Sequence, residues 1–173
     1  MTSPYQAPRL IEPTDDVDNF TCRSSEQTRW LRRHAKQSAS TGTTRVFVIT
    51  HQDTGVVVAY YAWCMAQLEL IDPPARLRKG AGQYPQPVAL LARLGVDNEH
   101  ERRGLGAALL ADAISRLLTI GDDIGCRGLL IHAEGREARD FYLHLIPELE
   151  QSPTDDLHLV LLLKDARRTM NGE

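Results

Sequence analysis

The sequence predicts a mixed α/β domain, and three observations indicate this fold class. Short runs of β-branched and apolar residues alternate along the chain with segments of helical periodicity. A short, turn-like connector joins two early strands, which favours an antiparallel hairpin. A later strand leads through a glycine-bearing loop directly into an amphipathic helix. With 173 residues, 42% of them hydrophobic and 25% charged, the chain is expected to form one domain over residues 1–173.

The first part of the chain is expected to hold an extended lead-in, a helix and a hairpin. Residues 2–19 contain three prolines, which are typical of an extended lead-in or an edge strand. A polar breaker rich in Ser, Thr and Gly, residues 38–44, separates the helix from the hairpin. The predicted elements are a helix over residues 24–37 and strands over residues 46–50 and 56–65.

The second part is expected to alternate strands with helices. Residues 71–87 contain four prolines and two glycines, so we expect a long loop. The helix after Gly106 has a clean apolar stripe, and residues 121–125 are expected to end it. The stripe consists of Leu109, Leu110, Ala113, Ile114, Leu117 and Leu118. The other predicted elements are strands over residues 88–96, 129–133 and 157–163, a helix over residues 136–145, and a polar tail.

Composition excludes several classes of protein. Twenty basic and 23 acidic residues give a net charge of −3, which argues against a uniformly basic surface but not against local basic patches. The longest apolar run, residues 56–65, is far shorter than the ~18 residues of a membrane span, and the first residues lack the apolar region of a signal peptide. We therefore expect a cytoplasmic protein without membrane contact. Cys22, Cys64 and Cys126 form no C-x-x-C pair, so we expect reduced core cysteines and no metal site.

The segment with the clearest chemistry follows the strand that ends at Val96. Residues 101–107, here called the glycine loop, place Gly104 and Gly106 on the first turn of the next helix. Unpaired amides at a helix N-terminus bind phosphate, and glycine lets the backbone approach it closely. Arg102 and Arg103 add positive charge. The pattern predicts a phosphate-binding loop, with a simple tight turn as the alternative.

Two common phosphate-binding loops do not fit this segment. A Rossmann fingerprint needs a third glycine where the chain has Leu109. A Walker loop needs the G-x-x-x-x-G-K-[ST] pattern, which is absent from the sequence. The remaining interpretation is a pyrophosphate loop of another kind.

The order of these motifs resembles the GNAT family of acetyl-CoA-dependent N-acetyltransferases. The pieces that carry the resemblance are the strand end Leu94–Val96, the R/Q-x-x-G-x-G/A-like loop Glu101–Gly106, and Ala138–Tyr142 as an Ala-x-x-Phe-Tyr helix. The resemblance covers nearly the whole chain. It implies a mixed central sheet of about six or seven strands flanked by helices.

One subgroup of this family is more similar still, namely the GNAT toxins of toxin-antitoxin pairs. The matching segments are Phe20-x-Cys22, Trp30-Leu31, Ala35, Ala59–Tyr61, Ala92–Asp97 and Leu161–Lys164. The resemblance implies that the protein acetylates the amino group of aminoacyl-tRNA and so stops translation. It also implies a homodimer that is neutralised by a small DNA-binding antitoxin, of the ribbon-helix-helix type.

The resemblance assigns roles to residues of this chain. The backbone amides of the loop would anchor the pyrophosphate. They are those of Arg102, Arg103, Gly104, Leu105, Gly106 and Ala107. The strand end formed by Leu94, Gly95 and Val96 would pair with the pantetheine arm and polarise the thioester carbonyl. Tyr142 would protonate the leaving thiolate, since a phenol with a pKa of ~10 stays protonated where a thiol has ~8.5. Phe141 is expected to lie in the core.

No general base stands out in the sequence. His132, Glu134 and His144 lie near the relevant segments, but each is expected to be a strand-end or surface residue, and a chain of water molecules is the alternative. Two positions depart from the family pattern. Glu101 replaces the usual Gln or Arg, and residues 143–147 replace a glycine-aromatic pair. We expect Arg102 and Arg103 to offset the charge of Glu101.

Clusters of basic residues are expected to contact the phosphates of the tRNA acceptor end, with a merely solvated face as the alternative. They are Arg29, Arg32, Arg33 and Lys36 on the first helix, Arg76, Arg78 and Lys79 in the long loop, and Arg93 near the strand end. Two other functions remain open. One is a GNAT enzyme acting on a small amine or a protein N-terminus. The other is a CoA-binding regulatory module without catalysis, which Glu101 would permit and Tyr142 argues against.

Overall fold

The computed structural model describes residues 2–68, 85–153 and 155–172. Its strands and helices alternate as a mixed α/β chain. In chain order they are β1 Arg9–Leu10, α1 Ser25–Arg33, α2 Ala35–Thr41, β2 Arg45–Thr50, β3 Val57–Leu68, β4 Gln86–Val96, α3 Leu105–Asp123, β5 Gly128–His132, α4 Arg136–Leu145, β6 Glu150–Gln151, β7 His158–Leu162 and α5 Leu163–Asn171. A single 3₁₀ turn, Asn98–His100, lies between β4 and α3.

The strands form a seven-stranded sheet in the order β1-β2-β3-β4-β5-β7-β6. The pairs β1–β2, β2–β3, β5–β7 and β6–β7 are antiparallel, whereas β4 and β5 are parallel. The predicted hairpin is confirmed, because Val48 lies opposite Tyr60 and Phe47 opposite Tyr61. The predicted lead-in is confirmed as well, since β1 is a two-residue edge strand.

The chain divides into two compact units. The first comprises residues 1–64 and 92–112, and the second comprises residues 65–91 and 113–173. In the first unit, Tyr60 is fully buried, stacks on Trp30 at 6.0 Å between ring centroids and meets the edge of Phe20 at 5.6 Å. A Cβ atom at Gly95 would lie 3.1 Å from the Tyr60 ring. Glycine at position 95 therefore lets β4 pack closely against this aromatic cluster.

The second unit has its own apolar core. Val88, Leu130, Val160 and Leu162 are buried together there. A Cβ atom at Gly128 would collide with the backbone carbonyl of Leu161 on the paired strand β7, so this strand pair requires glycine.

The apolar stripe predicted for α3 is confirmed, because Leu109, Leu110, Ala113, Ile114 and Leu117 are buried and Leu118 is half-buried.

Two predictions about helices were wrong. The helix expected over residues 24–37 is interrupted at His34, whose φ of −122° ends α1 before α2 begins. The polar tail forms α5, in which Ala166 and Asp165 are buried. The burial of Ala166 and Asp165 indicates that tertiary packing stabilises α5 despite its polar sequence. The predicted end of α3 is confirmed, because the helix ends at Asp123, within residues 121–125.

Two further predictions need correction. Of the loop expected over residues 71–87, residues 71–84 lie outside the described residues, while Gln86 and Pro87 already belong to β4. Of the three cysteines, all unpaired, Cys22 is buried, but Cys64 and Cys126 are only half-buried. Among residues 2–68, 85–153 and 155–172, no helix combines the length and the apolar character required to cross a membrane.

Candidate active site

The glycine loop has the backbone shape expected of an anion-binding loop. Arg102 and Gly104 both adopt left-handed conformations, with φ of 60° and 78°. A non-glycine residue rarely adopts this conformation, and such positions cluster at functional sites. The first helical bond of α3 runs from the amide of Ala108 to the carbonyl of Gly104, at 3.0 Å. The three preceding amides, those of residues 105–107, therefore have no acceptor one turn earlier in the helix and are available to an anion.

The solvent exposure of the glycine loop also fits a role in anion binding. Arg102, Arg103, Gly104 and Ala107 are exposed, and Gly106 is half-exposed. Leu105 is buried and anchors the start of α3 in the first unit. The residues predicted from the sequence to bind pyrophosphate are thus brought together on one accessible turn.

The connector that precedes the loop is fixed by a segment from the start of the chain. The backbone amide of Thr21 donates to the Asp97 carboxylate at 3.0 Å, and the amide of Asn98 donates to the Thr21 carbonyl at 2.9 Å. The amide of Asp97 itself donates to the Val58 carbonyl on β3. These bonds fix the position from which the glycine loop begins.

Glu101, the acidic departure from the family pattern, has a direct counter-ion. Arg23 donates to both of its carboxylate oxygens, at 2.8 and 3.1 Å. Arg102 and Arg103 were expected to offset this charge, but the residue that bonds to the Glu101 carboxylate is Arg23. The spacing of 78 residues offers no local signal that could have indicated the pair.

Arg103 also has a partner that the sequence did not indicate. Its guanidinium donates to the hydroxyl of Tyr5 at 2.9 Å, and that hydroxyl lies 2.8 Å from Nδ1 of His100.

Asp97, Glu99 and His100 place potential metal-ligating atoms within 4.8 Å of one another. The Asp97 carboxylate already accepts the amides of Thr21 and Glu99, so its geometry is explained by the turn it caps.

The end of β4 carries the other residues predicted to bind acetyl-CoA. Leu94 and Val96 are half-buried, while Gly95 is buried in the first unit. Arg93, predicted as a nucleic-acid contact, packs its guanidinium 5.1 Å from the centre of the Trp30 ring. It also donates to the side chains of Gln27 at 3.1 Å and Glu26 at 3.4 Å. The contacts of Arg93 therefore connect β4 to α1.

Tyr142 lies in the second unit, on α4, and is buried. Burial raises the pKa of its phenol well above the ordinary value, and the negative charge of Glu134 raises it further. Within the described residues its hydroxyl has no hydrogen-bond partner from the protein. The side chain is thus a phenol that keeps its proton and has it available to donate.

The neighbours of Tyr142 differ from expectation at one position. Phe141 was predicted to be a core residue, but it is 38% exposed, and its ring meets the Tyr142 ring edge-on at 5.4 Å between centroids. Helix α4 buries the face that carries Tyr142, and Phe141, one residue earlier, points elsewhere. His132 stacks on His158 at 3.9 Å, and partial burial of its ring together with the charge of His158 lowers the pKa of His132. His132 and His144 are exposed, as predicted.

A basic groove of about 310 Å³, here called the arginine groove, lies beside α1. Four arginines line it, and Arg32 is fixed by bonds from its guanidinium to the Phe20 carbonyl and the Thr21 hydroxyl. Within the described part of the chain, Arg29 and Arg33 have neither an ion pair nor a side-chain hydrogen bond. The lining residues are Thr21, Cys22, Arg23, Ser25, Thr28, Arg29, Arg32 and Arg33.

The remaining predicted basic contacts are not part of this groove. The helix break at His34 separates Lys36 from the arginines of α1. The ammonium group of Lys36 donates to the Asp15 carbonyl at 2.6 Å. The expectation that Lys36 lies on one helix with these arginines was therefore wrong. Arg76, Arg78 and Lys79 lie outside the described residues.

Comparison with known proteins shows which family the sequence matches. Residues 11–145 match the Acetyltransferase (GNAT) family. The chain is 45% identical over 165 residues to a tRNA-acetylating toxin of Mycobacterium tuberculosis, and the match covers 95% of this chain and 96% of the relative.

Solved structures show the same fold. A mutant of KacT superposes with a TM-score of 0.87 at 20% identity, covering 96% of this chain and 99% of KacT. AtaT complexed with acetyl-methionyl-tRNAfMet gives a TM-score of 0.84 at 20% identity over 94% and 97% of the two chains. A mutant AtaT toxin bound to the C-terminus of the antitoxin AtaR and to acetyl-CoA gives 0.80 at 19% identity, over 98% and 99%.

Proposed function

The chain belongs to the GNAT family of acetyltransferases, and we propose that it transfers the acetyl group of acetyl-CoA to the amino group of an aminoacyl-tRNA and thereby blocks translation. The observation that carries this proposal is the 45% identity, along almost the full length of both chains, to a tRNA-acetylating toxin. The accessible glycine loop and the buried, protonated Tyr142 supply the chemistry that such a transfer requires.

Binding of acetyl-CoA would use the glycine loop and the end of β4. The amides of residues 105–107 and the positive end of the α3 dipole would hold the pyrophosphate. Arg102 and Arg103 would add charge to this contact, and Arg23 would balance Glu101. Backbone groups of Leu94, Gly95 and Val96 would pair with the pantetheine arm and polarise the thioester carbonyl.

The reaction moves one acyl group and two protons. The neutral amine nitrogen attacks the thioester carbonyl carbon, the C–S bond breaks, and the amine loses a proton to water. Tyr142 would donate its proton to the departing thiolate sulfur and regain one from solvent. The raised pKa of Tyr142 suits this role, because an acid must be protonated when the sulfur leaves.

The arginine groove is proposed to contact the phosphates of the tRNA substrate. Arg29 and Arg33 are exposed there and have their guanidinium groups available. Phosphate contacts of this kind position a nucleic acid without reading its sequence. Six further residues complete the proposed basic set. Three of them already donate hydrogen bonds to other groups of the protein, namely Arg32, Lys36 and Arg93. The other three are Arg76, Arg78 and Lys79.

We further propose that residues 1–173 act as one catalytic domain in the cytoplasm, where aminoacyl-tRNA is used, and that the protein is a homodimer neutralised by a small antitoxin of the ribbon-helix-helix type. The family match from residue 11 to 145 runs through both compact units. The AtaT complex with the C-terminus of AtaR supports a protein antitoxin. Light scattering of the purified protein, alone and with the product of an adjacent reading frame, tests both assemblies.

The decisive experiment offers radiolabelled acetyl-CoA to the purified protein together with charged tRNA, with deacylated tRNA as the control. We expect label only on charged tRNA, and mass spectrometry of total tRNA after brief induction in cells identifies the acceptor. Acetylation of free amines or peptide N-termini, but not of charged tRNA, would instead favour the small-amine enzyme. Acetyl-CoA binding without transfer to any acceptor would favour a regulatory module.

A further inference from the structure

We propose that Tyr5 is a positioning residue for acetyl-CoA binding, which it serves by fixing the guanidinium of Arg103, a residue of the glycine loop. The inference rests on the proposed function, because it assigns a role within the same acetyl-CoA site. It makes the start of the chain part of that site, although Tyr5 and Arg103 lie 98 residues apart in the sequence.

The hydrogen bonds at Tyr5 form a short directional chain. Nη1 of Arg103 donates to the Tyr5 hydroxyl at 2.9 Å, and this hydroxyl lies 2.8 Å from Nδ1 of His100. With Nδ1 of His100 as the acceptor, the hydroxyl donates its own proton there and uses an oxygen lone pair for Arg103. Tyr5 uses one of the five N–H groups of Arg103, and the described residues provide no other hydrogen-bond partner for this guanidinium, so the other four remain for phosphate oxygens.

Tyr5 is itself held rigidly. Its ring meets the His51 ring edge-on at 5.8 Å and the His100 ring edge-on at 5.6 Å. On either side of it, the Gln6 amide donates to the Thr50 carbonyl at 2.9 Å, and the Gln52 amide donates to the Pro4 carbonyl at 2.8 Å. A hydroxyl on such a support is a fixed anchor for a flexible side chain.

The neighbouring arginine provides an internal contrast. Arg102 is exposed like Arg103, and in the part of the chain that the structure describes it makes no side-chain hydrogen bond or ion pair. An arginine that is already held in place loses less rotamer freedom when it binds phosphate than a free one. We therefore expect the Tyr5 hydroxyl to act on acetyl-CoA affinity through Arg103 and not through Arg102.

The test compares Tyr5→Phe, which keeps the ring and removes only the hydroxyl, with the wild type. We expect the Kd for acetyl-CoA, measured by calorimetry, to rise about three- to tenfold, while turnover at saturating acetyl-CoA is unchanged. With acetyl-pantetheine, which lacks the nucleotide phosphates, kcat/KM should be the same for both proteins. This comparison separates a phosphate effect from a general structural effect.

Double-mutant cycles test whether Tyr5 acts on acetyl-CoA affinity through Arg103. Tyr5→Phe should add little to the loss caused by Arg103→Ala, but its effect should combine additively with that of Arg102→Ala. An unchanged Kd in Tyr5→Phe, an equal loss with acetyl-pantetheine, or additivity with Arg103→Ala would each overturn the inference. A wild-type protein that binds no acetyl-CoA would instead overturn the proposed function.

Discussion

The guanidinium of Arg23 donates to both carboxylate oxygens of Glu101, at 2.8 and 3.1 Å. The pair joins the segment before α1 to the glycine loop within the first unit. Arg23 also lines the arginine groove. One side chain thus borders both the proposed phosphate loop for acetyl-CoA and the proposed contact surface for tRNA.

This ion pair predicts opposite effects of two neutral substitutions on acetyl-CoA binding. Arg23→Gln leaves the Glu101 charge unbalanced near the phosphates, so the Kd should rise; Glu101→Gln removes that charge, so the Kd should fall. Because the Arg23 side chain is 62% exposed, we expect changes of about two- to fivefold. Calorimetry measures both, with Arg167→Gln, which breaks a surface pair with Asp122, as the control. Tighter binding by Arg23→Gln would contradict the assignment.

Tyr142→Phe is expected to reduce kcat by about 100-fold or more, since general acid catalysis contributes ~10²–10⁴ to a rate. The Kd for acetyl-CoA should change little, because the substitution removes only a hydroxyl that bonds to no other group among the residues the structure describes. Single-turnover acetylation of charged tRNA measures the step. Phe141→Leu, at the exposed neighbouring position, is the matched control and should keep normal turnover. Full activity in Tyr142→Phe would exclude the tyrosine as the acid.

The raised pKa of Tyr142 also predicts the shape of the pH profile. A phenol whose pKa lies above its usual ~10 stays protonated at every pH from 6 to 9. The rate should therefore rise as the substrate amine, with a pKa near ~8, loses its proton, and it should not fall toward pH 9. Tyr142→Phe should be slower at each pH with the same profile. A decline between pH 8 and 9 in the wild type alone would point to another acid.

The arginine groove predicts a salt-dependent interaction with tRNA. Removing Arg29 or Arg33 should raise the KM for charged tRNA and lower the slope of log KM against log salt by roughly 0.7–0.9 for each lost phosphate contact. Arg167→Ala, on α5, is the surface control. Steady-state kinetics between low and moderate salt, at saturating acetyl-CoA, provide the slopes. Identical slopes for all the variants would mean that the groove does not contact the RNA.

The glycine of strand β5 predicts a difference in stability between two nearby substitutions. Gly128→Ala places a methyl group against the Leu161 carbonyl and should lower the free energy of unfolding by about 1–3 kcal/mol. Gly125→Ala, where a Cβ meets no atom within 4 Å, should change it by less than ~0.5 kcal/mol. Urea denaturation measures both. Equal stability of the two variants would be inconsistent with the packing of β5 on β7.

The sequence was sufficient to predict features that depend on neighbouring residues. The glycine loop follows a strand and starts a helix with a regular apolar stripe, so its place could be predicted from spacing alone. The roles of Arg23 and Tyr5 depend instead on contacts between distant segments, which have no local pattern. The break at His34 lies inside a stretch of helical periodicity, so the sequence pattern did not indicate it. Helix α5 was missed because its sequence is mostly polar, and only tertiary packing shows that Ala166 and Asp165 are buried.

The bonds around the glycine loop also determine when this site can form during synthesis. They join Thr21 to Asp97, Arg23 to Glu101 and Tyr5 to Arg103, across 76, 78 and 98 residues. Contacts of such long sequence separation close slowly and late, and a chain emerging from the ribosome cannot make them until both partners have left it. More than half of the polypeptide is therefore translated before the loop acquires its supports. An enzyme proposed to stop protein synthesis thus completes most of its own synthesis before its acetyl-CoA site exists.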